Sequence, residues 1–274
     1  MKKTIFLSIA GLFILLLACQ KEPGDIDDPG WGHGSDNKQL IVMTYNVRYC
    51  TPYLVENAKP DIDAIAAIIN KVKPDVVFLQ EVDRNTTRSG KVDQLAELSK
   101  KTNMPFTFFG KGQDYQGGEC GCAFLSRVSL SDPQLTIYPR AESQTSDRIM
   151  IQATLKSGDK PVTVACTHLG LYQEERDVEV PVINSKLSTS LYPVIFGGDL
   201  NAIPENSTIT TLLGYGFAKS NAITTFTIPS DKPNRQLDYI MYKPANKLKV
   251  ISHTVLPDKA SDHLAVVAVF EIQD

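Results

Sequence analysis

"PVIFGGDLNAIP" occupies residues 193–204. Val194, Ile195 and Phe196 are β-branched or aromatic, and a short apolar run bounded by Pro and Gly reads as a buried strand. Two glycines follow, then Asp199 and Asn201. Gly, Asp, Asn and Pro all favour turns, so a turn is the plain reading. The other reading is a core strand that carries two polar side chains to the mouth of a site. The rest of the chain repeats the pattern. Asn46 follows "IVMTY", Gln80 and Glu81 follow "VVFL", and His168 follows "VTVACT". Asp238 sits inside "QLDYIM", and Asp262 and His263 precede "LAVVAVF".

Around these runs the spacing predicts strands at 40–45, 75–79, 106–109, 122–125, 149–155, 162–166, 194–197, 224–228, 237–241, 248–255 and 264–272. Ile62, Ile65, Ile68, Ile69 and Val72 recur at helical spacing behind Asp61, a capping residue, and Pro74 ends the run. A second helix is predicted over 92–101 and a short one from about Pro204. Residues 173–189 are predicted to be helical in pieces, with Pro181 interrupting them. Many strands and few helices fit two packed sheets with helices outside them.

The first residues have the pattern of an export signal. Lys2 and Lys3 precede an apolar run that closes at Leu16-Leu17-Ala18-Cys19, too short for a comfortable membrane span. Leu-Leu-Ala-Cys resembles the lipobox of bacterial lipoproteins. That implies cleavage before Cys19, a lipid on its sulfur, and a place in the bacterial cell envelope, periplasmic or at the cell surface. Residues 19–37, rich in Gly, Pro and Asp, read as a flexible tether. Residues 38–274 then form one domain, expected to be monomeric and to meet the membrane through the anchor only. The formal net charge is −3, and loss of residues 1–18 removes two lysines and leaves −5. A general nucleic-acid scanner is normally basic, so duplex nucleic acid is admitted but not favoured. Cys50, Cys120, Cys122 and Cys166 remain in a compartment that permits disulfides. Cys120-Gly-Cys122 is closer-spaced than the usual zinc pairs. Buried thiols, or a disulfide to Cys50 or Cys166, both fit.

The polar residues at the strand ends suit one chemistry. Phosphoryl transfer spreads negative charge over equatorial oxygens while water attacks in line with the leaving oxygen. A hard cation such as Mg²⁺ takes oxygen ligands and keeps several waters, so one or two carboxylates hold it. Glu81 is the first candidate, with Asn46 and Asp262 around it. His263, oriented by Asp238, is a candidate base for the water. Asp199 and Asn201 are placed to hold water and phosphate, and His168 to donate to a phosphate oxygen or the leaving group. Arg48, Arg88 (in the segment 85–88), Arg148 and Arg176 are candidate substrate contacts.

Seven short motifs, in order, carry a resemblance: "TYN" at 44–46, "LQEV" at 79–82, "FLSR" at 124–127, "THL" at 167–169, "GDLN" at 198–201, "LDYI" at 237–240 and "SDH" at 261–263. The series resembles that of the endonuclease/exonuclease/phosphatase superfamily and covers the chain beyond the tether. It implies a deoxyribonuclease-like four-layer α/β/β/α sandwich of two mostly antiparallel sheets, with Mg²⁺- or Mn²⁺-dependent cleavage of a phosphate ester at one edge of both sheets. It also implies Asn46, Glu81 and Asp262 around the metal, Asp199 and Asn201 as the water- and phosphate-positioning pair, Asp238 and His263 as a dyad, and His168 as the second histidine. Arg48 stands where some relatives carry a carboxylate. Two competing readings are a surface-anchored binding protein with a degenerate site, and a zinc hydrolase built on His168, His263 and the Cys pair.

Overall fold

The computed structural model describes residues 39–274 apart from 143 and 145, so the export signal, Cys19 and the tether lie outside the described residues. The elements run β1 (Gln39–Asn46), α1 (Ile62–Val72), β2 (Val76–Arg84), α2 (Gln94–Thr102), β3 (Phe106–Tyr115), β4 (Gly118–Ser126), β5 (Ser131–Ile137), β6 (Ile149–Ser157), β7 (Lys160–His168), α3 (Gln173–Leu187), β8 (Val194–Asp199), α4 (Ser207–Gly214), β9 (Ala218–Lys219), β10 (Asp238–Lys243), β11 (Leu248–Val255) and β12 (Val266–Ile272). They form two six-stranded sheets, ordered β11-β12-β1-β2-β4-β3 and β5-β6-β7-β8-β10-β9.

Alternation along the strands builds the layers. Leu40 and Val42, Val76 and Phe78, Val162, Val164 and Cys166, and Val266, Ala268 and Phe270 point into one core shared by the two sheets. The opposite face of the second sheet buries Ala165, Val194, Phe196 and Tyr239 against Val180, Ile183 and Leu187 of α3 and Ile209 and Leu212 of α4. On the first sheet, Ile41, Met43 and Val77 are buried, as are Ile65, Ile69 and Leu98 of α1 and α2. The result is the four-layer α/β/β/α sandwich.

Each sheet holds a single parallel pair, β1/β2 and β7/β8, and the other pairings are antiparallel. A parallel pair requires a crossover, supplied by α1 and α3. Both members of such a pair end at the same sheet edge. Asn46 therefore faces Gln80 across β1/β2, and His168 faces Asp199 across β7/β8. Antiparallel β10 begins where β8 ends, placing Asp238 opposite Asp199.

Several expectations change. The helix over 173–187 is continuous through Pro181, because Pro181 is on the solvent side and the hydrogen bond it cannot make falls on exposed Asp177. Residues 224–228 are not a strand: the amides of Thr227 and Ile228 bond to Arg235 O, and Thr227 O accepts from Leu264 N. Two strands were not foreseen, β9 and β5. β5 is largely exposed and so lacks a burial pattern to read. Among the described residues, Cys50, Cys120, Cys122 and Cys166 are all free and buried. Burial pushes the Cys50, Cys120 and Cys122 thiols up, with a hydrogen bond to Cys166 foremost for Cys122.

Candidate active site

The paired glycines of the opening stretch explain how β8 delivers its carboxylate. Gly198 has φ +141°, and a Cβ there would run into the carbonyl oxygen of Thr167. Only glycine lets β8 lie this close to β7 one residue before Asp199. On the other sheet the device is a bulge. The β2/β4 register shifts between Leu79 and Val82, and Glu81 sits inside it at φ +56°. Positive φ is uncommon for a non-glycine residue, and bulges near active sites re-aim side chains. Glu81 is turned into the cleft.

The cleft has a volume of about 480 Å³ and is lined by Glu81, His168, Asp199, Asn201, Asp262 and His263, among others. Asp199 is its hub. Its Oδ2 accepts from Asn46 Nδ2 at 3.1 Å and lies 3.4 Å from His168 Nε2 and 3.6 Å from His263 Nε2. Its Oδ1 accepts from Asn201 N at 3.0 Å. Asn46 Nδ2 also donates to Glu81 Oε1 at 3.1 Å, so one amide ties the strand ends of both sheets. Asn201 Nδ2 donates to Leu169 O at 2.8 Å and steadies the turn after His168. His263 Nδ1 meets Asp238 Oδ2 at 2.8 Å, and both residues are buried. Ser261 Oγ donates to Asn46 O at 2.8 Å and fastens the Asp262–His263 loop to β1. The eight site residues read from the sequence are thus brought together.

Asp199, Asp238 and His263 each bring one ligand atom within 4.8 Å of the others, and no thiol belongs to this group among the described residues. That disfavours the zinc reading.

The electrostatics follow from burial and neighbours. Burial alone would lower the His263 pKa, but Asp238, Asp199 and Asp262 outweigh it and push it up to about 10. His168 is held well below the usual histidine range by burial and by the charges of Arg148 and His263. Burial raises Asp199 to about 6 against the pull of His263.

The arginines divide. Arg148 lines the cleft. Arg88 lines it too, but its Nε and Nη2 are committed to buried Asp83 at 2.7 and 2.8 Å, and its guanidinium lies over the Tyr49 and Tyr115 rings. Arg48 does not line the cleft: it donates to Thr51 O and Pro52 O and lies 3.6 Å from Asp262. Arg176 is no substrate contact. It is buried, donates to Gly170 O, Leu171 O and Thr208 Oγ1, and clamps the loop after His168 from behind.

Two residues of the site are not among those read from the sequence. Thr227 Oγ1 donates to Asp238 Oδ2 at 2.5 Å and is the second support of the Asp238–His263 pair. Arg235 lines the cleft from the far side. Proximity to "LDYI" was the one available hint for Arg235.

The sequence profile of the Endonuclease/Exonuclease/phosphatase family matches residues 43–263. The chain belongs to this family. Members of the endonuclease/exonuclease/phosphatase family are generally phosphoester hydrolases. Solved members resemble the fold closely at low identity. A Beutenbergia cavernae endonuclease/exonuclease/phosphatase superposes with TM-score 0.73 at 22% identity, over 86% of this chain and 72% of the other. A mannosyl-6-phosphatase of Bacteroides thetaiotaomicron gives 0.69 at 14%, over 84% and 99%. The catalytic domain of human Nocturnin gives 0.65 at 20%, over 86% and 95%. At such identities the likeness speaks for the fold alone. The sequence has no significant match among curated proteins.

Proposed function

We propose that the chain is a divalent-metal-dependent hydrolase of phosphate esters, a phosphodiesterase or phosphatase, that works outside the cytoplasm on a lipid anchor at Cys19. The observation that supports it most is the convergence on Asp199 Oδ2 of Asn46, His168 and His263, from strand ends of both sheets. Family membership supports the reaction class.

The residues fit a hard cation. Glu81, Asn46 and Asp262 supply oxygens, and among the described residues the Glu81 carboxylate takes a hydrogen bond from Asn46 alone. Mg²⁺ or Mn²⁺ held there would polarise a phosphoryl oxygen and neutralise charge developing on the ester. Its positive charge would also counter the carboxylates that raise His263.

The chain's own groups do the rest. Asp238 fixes Nδ1 of His263, so Nε2 is the nitrogen that faces the cleft. Nε2 and Asp199 Oδ2, 3.6 Å apart, frame a place where the attacking water is oriented and its proton taken up. Asn201, fixed by its bonds to Asp199 and Leu169, lines the cleft as a phosphate-positioning amide. His168, half-buried and held neutral by its surroundings, is placed to donate to a phosphate oxygen or to the leaving group. Arg148 beside it adds a positive charge.

The test is hydrolysis of p-nitrophenyl phosphate and bis-p-nitrophenyl phosphate by purified protein with Mg²⁺, Mn²⁺ or EDTA. Turnover with metal, lost in EDTA and in Glu81→Ala, is expected. Absence of turnover of any phosphate ester would instead favour a binding protein on the same fold. Cys19→Ala should leave the membrane fraction with activity intact; a variant that stays on the membrane would remove the anchor from the proposal.

A further inference from the structure

All eight arginines of the chain lie in the described residues. Six are occupied. Arg48 is held by Thr51, Pro52 and Asp262, Arg84 by Asp93 and Glu119, Arg88 by Asp83, Arg127 by Pro74 O, Arg140 by Asp147, and Arg176 by the loop 170–173 and Thr208. The guanidinium groups of Arg148 and Arg235 have no hydrogen-bond or ion-pair partner among the described residues. Both of these, and of the other six only Arg88, line the cleft.

The two lie on opposite flanks. Met150 pairs with Thr167, so Arg148, just before β6, stands beside the end of β7 and His168. Arg235 precedes β10, and its backbone is pinned: its N–H bonds to Ile228 O, while its carbonyl accepts from Thr227 and Ile228. The strand order β6-β7-β8-β10 places His168, Asp199 and Asp238 between them. Three steps of about 4.8 Å put the lines of β6 and β10 about 14 Å apart across the sheet. Depth differs as well. Asp199 lies at the buried floor, His168 and Arg148 are half-buried, and Arg235 is exposed at the mouth. A phosphate seated at Asp199, His168 and His263 has Arg148 as its neighbour. Arg235 is left to face whatever the ester carries outward. Of the carboxylates lining the cleft, Asp147 is taken by Arg140 at 2.6 Å, and none lies within ion-pair distance of Arg235.

We infer that Arg235 is a specificity-determining residue that binds a second anionic group of the substrate at the outer part of the cleft, so that the substrates of this site are small phosphate esters with two anionic groups. This rests on the proposed hydrolase, since it takes the scissile phosphate to sit at Asp199.

The experiment separates binding from turnover. Butane-1,4-diylbisphosphonate and butylphosphonate, neither of which can be hydrolysed, are titrated calorimetrically into the full chain with Mg²⁺. The parent is expected to bind the bisphosphonate about tenfold or more tightly, as one charge-assisted contact provides. Arg235→Gln should bring that ratio close to unity, Arg235→Lys should restore part of it, and Lys232→Gln, an exposed neighbour that does not line the cleft, should keep it. Equal binding by the parent, or an unchanged ratio in Arg235→Gln, overturns the inference. Kinetics on the matching butane-1,4-diyl bisphosphate and butyl phosphate test the hydrolase separately. Preferential binding without hydrolysis of either ester would keep the anion site and remove the hydrolase. Hydrolysis of both without preference, together with equal binding, would do the reverse.

Discussion

Replacing Thr227 by Val alters one atom group under the site. The shapes are alike, but the hydroxyl is lost, so the exchange is not conservative in a buried network. In the parent, Thr227 Oγ1 donates to Asp238 Oδ2 at 2.5 Å and accepts from Leu237 N at 3.2 Å and Asp238 N at 3.4 Å. Asp238 Oδ1 is already buried without a partner among the described residues. Asp238 would keep His263 alone. A hydrogen bond to a charged group contributes about 1.5–3 kcal/mol, and an orphaned buried donor costs about 1–3 kcal/mol. Taking about 2–3 kcal/mol as the net loss, a domain of this size should melt about 4–12 °C lower. If about 2 kcal/mol of it appears as lost orientation of His263, kcat/KM falls about 30-fold. Melting is followed by circular dichroism and activity by release of p-nitrophenol from the diester with Mn²⁺. Thr227→Ser keeps the hydroxyl and is the control, expected near parent values in both assays. If Thr227→Val melts with the parent and turns over as fast, the idea that Thr227 supports the dyad is wrong.

Three other outcomes are expected. His263→Ala should lose about 10²-fold or more in rate, the usual contribution of a general acid–base group, and parent-like turnover would remove the dyad from the mechanism. Gly198→Ala places a Cβ on Thr167 O at φ +141°, a region open almost only to glycine, so a loss of at least about 1–3 kcal/mol in denaturant unfolding is expected; an unchanged midpoint would show that β7 and β8 can separate freely. Glu179 is buried, accepts from Gly170 N at 2.9 Å, and burial raises its pKa from 4.5 to about 7. Between those values the folded state holds a proton that the unfolded state has released, so this group makes stability fall as pH rises through the window. Glu179→Gln should flatten that part of the stability–pH curve measured in urea, and an identical slope in the variant would contradict the assignment.

How much of the site could be read in advance differs from residue to residue. Asp199 and His168 close apolar strands, and Asp262 and His263 stand just before another. Such runs are visible wherever burial imposes a period on the sequence. Arg176 reads as a free cation in the sequence, because an arginine in a helical segment looks solvated until the packing of α3 on the second sheet buries it. Residues 224–228 have strand composition, but their amides and carbonyls are used by Arg235 and the 261–264 loop instead of a neighbouring strand. Pro181 reads as a break in the sequence, yet which side of α3 it occupies depends on where that helix docks.

Local composition and periodicity suffice for the layered class, the apolar strands and the polar residues at their ends. Folding in three dimensions is what brings Asn46 to Asp199 across two sheets and sets Thr227 against Asp238. It also leaves two of the eight arginines without a partner among the described residues, both at one cleft. Those relations join residues far apart in the chain, and strand order, register and the close approach at Gly198 set them, none of which is encoded in any single stretch.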